Sequence, residues 1–384
     1  MTFYDEDHQS YRLSIREYIA RQVLPRYDAW EAAHLVDRSA WAEAGAASAL
    51  GVSVDEEYGG GGTRDYRFRC VAAEEFAAVG VGSFSAGIAV QDDIVIPYIA
   101  ELGDHEQKKR WLTGLTSGEL IGAIAMTEPG AGSDLQGTRT SAVRDGGDWL
   151  VNGQKTFITN GIQSDVIVVL ARTDPDAGSR GFSLFVVEAT DPGFARGRKL
   201  DKVGLVAQDT AELYFDAVRL GRDRLLGEEG RGLYYLMERL PLERLSIAMG
   251  ALASAEAAYR WARDYVFDRQ AFGKAVGDFQ TVRFTLAELE TELEVTRAYV
   301  ESSVLKLNAG TLTAVDAAKA KWWASELQQR VISRSLQLFG GYGYMLEYPI
   351  GRAFRDARIQ TIYGGTTEIM KEIIGRDIAS RYSA

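Results

Sequence analysis

The residues best placed to do chemistry in this chain form the run Met126–Asp134, MTEPGAGSD. Pro129 and the glycines Gly130 and Gly132 forbid a helix there and predict a loop. The Thr127 and Ser133 hydroxyls, with backbone N–H groups brought close by glycine, suit a polar ligand. The apolar residues Leu120–Ala125 ahead of it read as a buried strand, the usual support for a ligand loop. Taken alone, such a run is more often a plain surface turn. Arg269 offers a planar fork matched to phosphate oxygens; by itself it is also an ordinary charge at a helix end. Gln337-Leu338-Phe339-Gly340-Gly341 closes a helical pattern and reads as a C-cap.

Other chemistries are disfavoured. His8, His34 and His105 all fall in the first third, away from these runs, which argues against a histidine triad or a histidine-held metal. A single cysteine, Cys70, leaves no intrachain disulfide and no thiolate cluster, and suits a reducing cytoplasm. No Gly-x-Gly-x-x-Gly opens a helix after a strand, and Gly59–Gly62 lacks the Gly-Lys-Ser/Thr ending of a phosphate loop. A net charge of −11 argues against nucleic acid. No apolar run is long enough to span a bilayer, and the acidic, amphipathic start resembles neither a signal nor a transit peptide.

The loop Met126–Asp134 resembles the first flavin-contacting signature of the acyl-CoA dehydrogenase family. Five further segments resemble that family in the same order: Lys155–Gly161 (KTFITNG), Leu240–Arg244 (LPLER), Arg269–Gly273 (RQAFG), Gln337–Tyr344 (QLFGGYGY) and Tyr348–Ile374. The resemblance covers nearly the whole chain and is closest to the long-chain branch. It implies FAD as cofactor. Ile124, Met126, Thr127, Gly132, Ser133, Phe157, Ile158 and Thr159 would surround the flavin ring and its linker. Phe157 stands where many relatives have Trp. Arg269, Phe272 and Gln280 would meet the pyrophosphate and adenine end. Gln337, Leu338, Gly340 and Gly341 would reach the FAD of a neighbouring subunit, and Thr366, Thr367 and Glu368 would complete the contacts.

The resemblance also implies abstraction of a proton alpha to a thioester, which needs a poised carboxylate. Most of the family carries that Glu in a Tyr-Glu-Gly-Thr segment. Here the segment is Tyr363-Gly364-Gly365-Thr366, so the usual base is missing. In the long-chain and isovaleryl branches the base lies instead at the start of a core helix, and Glu243 of Leu240–Arg244 matches that place. Alone, Glu243 reads as a carboxylate favourably placed at a helix N-terminus. A Gly at the one place and a Glu at the other compensate, so the chain reads as active with Glu243 as base. Gly364 would offer its N–H to the thioester oxygen. Ser133, Tyr234, Arg244 and Gly365 match positions near the acyl-CoA. The implied reaction converts medium-to-long straight acyl-CoA to trans-2-enoyl-CoA, with electrons passed to an electron-transfer flavoprotein by a homotetramer. The alternatives are a carrier-protein-bound or branched acyl thioester, a flavin oxidase or monooxygenase on the same fold, and a silent binding subunit.

The elements that must position these residues divide the chain in three. Residues 1–120 read as helical from stripes such as Tyr11, Ile15, Tyr18 and Ile19. Residues 121–231 carry short apolar runs and alternation at Ala211, Leu213 and Phe215, a small β domain, barrel-like or a sandwich, with a hairpin signal at Asn152-Gly153. From 232 to 384 helical spacing returns in three long stripes: Leu245 to Val266, Val282 to Val300, and Ala317 to Val331. These predict a four-helix bundle. The whole is mainly α with a central β domain, the arrangement the family resemblance also implies.

Overall fold

The computed structural model describes residues 3–382. Seven helices come first: α1 (Glu6–Tyr18), α2 (Leu24–Ala33), α3 (Ser39–Ala46), α4 (Arg67–Ala78), α5 (Gly82–Ala89), α6 (Ile96–Leu102) and α7 (His105–Ser117). Eight strands follow: β1 (Gly122–Ala125), β2 (Ser141–Asp145), β3 (Asp148–Thr159), β4 (Val166–Arg172), β5 (Phe182–Glu188), β6 (Phe194–Lys199), β7 (Thr210–Leu220) and β8 (Leu225–Leu226). Then come α8 (Gly232–Asp268), a small hairpin of β9 (Gln270–Ala271) and β10 (Lys274–Ala275), α9 (Gln280–Asn308), α10 (Ala314–Leu338), α11 (Pro349–Ala357) and α12 (Thr367–Tyr382). Among the described residues no helix is long and apolar enough to cross a membrane.

The three predicted stripes are the bundle core. Leu245, Leu252, Ala262 and Val266 of α8, Leu289 and Val300 of α9, and Ala324 and Val331 of α10 are all buried. The α10 helix packs on α8, α9, α11 and α12. Small residues on α8 (Ala248, Ala251, Ala255) let its neighbours approach closely.

The central sheet does not close into a barrel, contrary to the barrel-like expectation. Its order is β6-β7-β3-β2-β4-β5-β8, with β1 beside β4. The two ends cannot pair. The β6 strand, Phe-Ala-Arg-Gly-Arg-Lys, carries cationic side chains that blunt an edge, and β8 is only two residues long. Asn152-Gly153 is not a hairpin turn either. It lies inside β3 at a register shift against β7, and the turn falls between Asp145 and Asp148. Asn152 accepts the N–H of Ala217 on β7 at 2.8 Å, so the Asn-Gly pair builds a bulge.

Candidate active site

A cavity of about 580 Å³ opens where β1 and β3, α4, α5 and α8 meet the segment before α12. The loop after β1 contributes Met126, Thr127, Gly132 and Ser133, and Ile124 of β1 joins them. The end of β3 contributes Phe157, Ile158 and Thr159, α8 contributes Glu243 and Arg244, and the turn before α12 contributes Gly364, Gly365 and Thr366. The segments are far apart in the chain; the fold brings them to one wall.

The loop is held by a buried ion pair that its motif does not advertise. Lys155 of β3 donates to Glu128 Oε1 at 2.9 Å and to the Met126 carbonyl at 3.0 Å. Glu128 also accepts the backbone N–H groups of Arg139 and Thr140, and Thr156 N–H donates to the Thr127 carbonyl. Removing one partner of such a pair costs about 3–5 kcal/mol, so loop and strand move as one body. The hydroxyls facing the cavity are left over. Thr127, Ser133 and Thr159 have no side-chain hydrogen bond among the described residues. Beside them Phe157 stands 67% exposed with φ +60, a left-handed backbone that a bulky residue rarely adopts. A flat apolar face rimmed by unused hydroxyls fits a flavin ring with its polar edge.

Glu243 lies in the fourth turn of α8, not at its start, because the helix already begins at Gly232 and runs through Pro241. Pro241 cannot donate to the Met237 carbonyl four residues back. Met237 is exposed, so water can serve that carbonyl. A helix N-terminus therefore does not stabilise the Glu243 charge. The carboxylate is 4% exposed, and burial pushes its pKa up to about 7, opposed by the hydrogen bond from Tyr98 and by the nearby Arg244. Tyr98, fully buried on α6, donates from its hydroxyl to Glu243 Oε1 at 3.0 Å. Burial, and then the adjacent carboxylate, keep that phenol protonated. One turn on, Ser246 donates to Asp93 at 2.6 Å, and Arg69 pairs with both Asp93 and Asp92. This network ties the Glu243 stretch of α8 to the N-terminal helices. Neither Tyr98 nor Asp93 lies in a motif, so only the fold reveals them.

This geometry sets a pH dependence. A general base works as its carboxylate, so with Glu243 in that role kcat/KM should rise with pH through about 7 as it loses its proton. Tyr98→Phe removes a donor that favours the carboxylate and should move this acid limb up by about one to two pH units. A pH profile of the variant that overlays the parent's would detach Tyr98 from the base.

The glycines are dictated by space and backbone. Gly364 has φ +63, and a Cβ there would lie 2.3 Å from Ile247 Cδ1 on α8; Gly365 has φ +98. Arg244 Nε donates to the Gly364 carbonyl at 3.3 Å.

Other predicted residues fall elsewhere. Arg269, Leu338, Gly340 and Gly341 share a second groove of about 460 Å³ with Tyr265 and Tyr342, and no residue of that groove lines the first cavity. Phe272 sits at the tip of the β9–β10 hairpin, 94% exposed with φ +53. Gln280 opens α9 and Gln337 lies in the last turn of α10, both exposed. Tyr234, half exposed on the first turn of α8, lies under Arg231. The Thr367 hydroxyl is taken by Glu326 at 2.6 Å, and Glu368 faces solvent. Tyr234, Thr367 and Glu368 do not line the cavity.

A buried carboxylate of raised pKa at the wall of a largely apolar cavity is the kind of group a general base requires. Residues 5–119, 123–218 and 230–379 match the models of the N-terminal, middle and C-terminal domains of acyl-CoA dehydrogenase. The chain belongs to the acyl-CoA dehydrogenase family. It is 50% identical to the mitochondrial long-chain specific acyl-CoA dehydrogenase of Sus scrofa, over 98% of this chain and 87% of that protein. The crystal structure of an acyl-CoA dehydrogenase from Geobacillus kaustophilus matches with a TM-score of 0.95 at 49% identity, covering 98% of each chain. A glutaryl-CoA dehydrogenase from Mycobacterium smegmatis, solved in complex with FADH2, gives a TM-score of 0.92 at 29% identity, covering 98% of this chain and 96% of that one.

Proposed function

We propose that this protein is an FAD-dependent dehydrogenase of medium-to-long straight-chain acyl-CoA thioesters. The observation that carries the chain length is the far end of the cavity. It runs along α8 past Ile247, Gly250 and Ser254, and small residues of α4 and α5 (Ala73, Ala77, Ala86, Ala89) line its other side. Ser254 lies about 16 Å along the helix from Glu243 at about 1.5 Å per residue. That depth suits an alkyl chain far longer than a butyryl group.

Glu243 takes the alpha proton, and its desolvated carboxylate is a stronger base than one in water. The Gly364 N–H, unpartnered among the described residues, holds the thioester oxygen as charge develops on it. Such a donor is worth roughly 2.7–4 kcal/mol in comparable oxyanion sites. Ser133 and Arg244 border the same space, while Tyr234 would act from outside it. FAD, when bound, supplies the acceptor for the beta hydrogen and its electron pair. Thr127, Phe157, Ile158 and Thr159 would hold the flavin ring, and Thr366 would lie beside them.

Arg269, Leu338, Gly340 and Gly341 line a groove apart from that ring's cavity, and with Phe272, Gln280 and Gln337 they would serve the cofactor of a second subunit in a homotetramer. The exposed Phe272 tip supports this. We further take residues 1–120, 121–231 and 232–384 as the three domains, an electron-transfer flavoprotein as the acceptor, and the cytoplasm as the location, in keeping with the one buried thiol.

Purified protein should be yellow, release its FAD on acid precipitation, and bleach on anaerobic titration with octanoyl- to palmitoyl-CoA. Isovaleryl-CoA should give a far lower kcat/KM. A colourless protein that takes up no FAD would overturn the assignment; a preference for isovaleryl-CoA would overturn the chain length.

A further inference from the structure

Lys321 is a charged side chain that the mechanism above does not use. It lies on α10, fully buried, and its ammonium donates to the Gly365 carbonyl at 2.6 Å. Its environment is costly. Burial lowers its pKa to about 8, and Arg244 adds to that drop. A buried ammonium carries three donors, yet one hydrogen bond is formed among the described residues. An apolar side chain of equal length would fill the same space without this penalty. Glu326 and Glu368 offset part of that cost, and the one hydrogen bond the ammonium forms among the described residues goes to Gly365.

The two carbonyls of the glycine turn are both claimed by cations. Arg244 of α8 takes that of Gly364 and Lys321 of α10 takes that of Gly365. In a trans peptide the N–H points opposite the carbonyl, so each cation turns the following N–H away from itself. The N–H groups of Gly364, Gly365 and Thr366 have no intramolecular acceptor among the described residues. All three residues line the cavity beside Glu243. Both glycines have positive φ, so the turn has no side chain to lock it. Successive free N–H groups in such a turn make a concave site for a negative oxygen.

We propose that Lys321 is a positioning residue for the dehydrogenation: by gripping the Gly365 carbonyl it orients the peptide that carries the Thr366 N–H and so anchors the turn 364–366, whose Gly364 N–H faces the thioester oxygen. This rests on the dehydrogenase reading and adds to it a residue that touches neither substrate nor base. Losing the grip lets the turn relax, and a misplacement of about 1 Å can cost about 10²-fold in rate.

The test compares the FAD-loaded parent with Lys321→Met, which keeps length and removes charge and donor. Two quantities are read: the split between kcat and KM for octanoyl-CoA, and the C=O stretch of bound octenoyl-CoA labelled with 13C at the thioester carbon. In the variant kcat should fall by roughly 10- to 100-fold, KM should change by less than about threefold, and the stretch should move toward its value in water. Lys321→Gln, which can still donate to the carbonyl, should recover part of both. A folded Lys321→Met with the parent's stretch and kcat overturns the proposal. Failure of both variants to fold makes Lys321 a core residue and overturns it equally. A parent that neither binds octenoyl-CoA nor turns over octanoyl-CoA removes the dehydrogenase reading instead, whatever the variants do.

Discussion

Glu243→Gln should lower kcat by at least about 10²-fold, the usual general-base contribution, while FAD content and binding of an enoyl-CoA stay as in the parent. Gln preserves the shape of the side chain, and its amide oxygen can still accept the hydroxyl of Tyr98 that now reaches Glu243 Oε1 at 3.0 Å. Only the basicity is lost. Single-turnover reduction of the flavin by octanoyl-CoA separates this step from product release. Near-parental reduction in the variant would remove Glu243 from the chemistry.

Moving the carboxylate to position 364 should fail unless Ile247 is also cut back. The family resemblance implies a base at this place in most members, so Glu243→Gly with Gly364→Glu is the natural exchange. Two barriers oppose it in this chain. The backbone at 364 has φ +63, and the new Cβ would meet Ile247 Cδ1 at 2.3 Å. A left-handed non-glycine residue costs of order 1–3 kcal/mol, and the Ile247 side chain must also turn away. The double variant should therefore remain about 10²-fold or more below the parent. Adding Ile247→Ala removes the clash and should raise kcat about tenfold over the double variant, since about 1.4 kcal/mol of relieved strain suffices. A triple variant no faster than the double would show that position 364 cannot present a carboxylate in this fold.

The motifs exposed much of this site to sequence reading, but not its supports. Helical stripes on α8, α9 and α10 were legible because each buries one face against the others. Glu243 was legible as half of a compensating pair with Gly364. Tyr98 and Lys321 were not. Each is a single polar residue on an otherwise unremarkable helix, and its meaning lies in a partner more than 40 residues away. The barrel-like expectation failed for a related reason. Alternation predicts strands, whereas closure depends on whether the first and last can pair, and β6 is cationic and β8 too short. Asn152-Gly153 misled because the same φ freedom serves a bulge as well as a hairpin.

The buried base also ties the enzyme's working range to its durability. In the folded protein the Glu243 pKa is raised from 4.5 to about 7. Between those values the folded state holds a proton that the unfolded chain has released. Folding is therefore favoured on the acid side and weakens as pH rises through this window, by about 3 kcal/mol in all. Above about pH 8 the protein carries nearly the whole of that deficit, and there Glu243 is also in the form a base needs. Glu243→Gln has no proton to lose. It should melt above the parent at pH 8, and the two curves should converge only below about pH 4.5. Durability and activity thus trade along a single coordinate, the protonation of one side chain, and the active enzyme at neutral pH is the less durable form of the same fold.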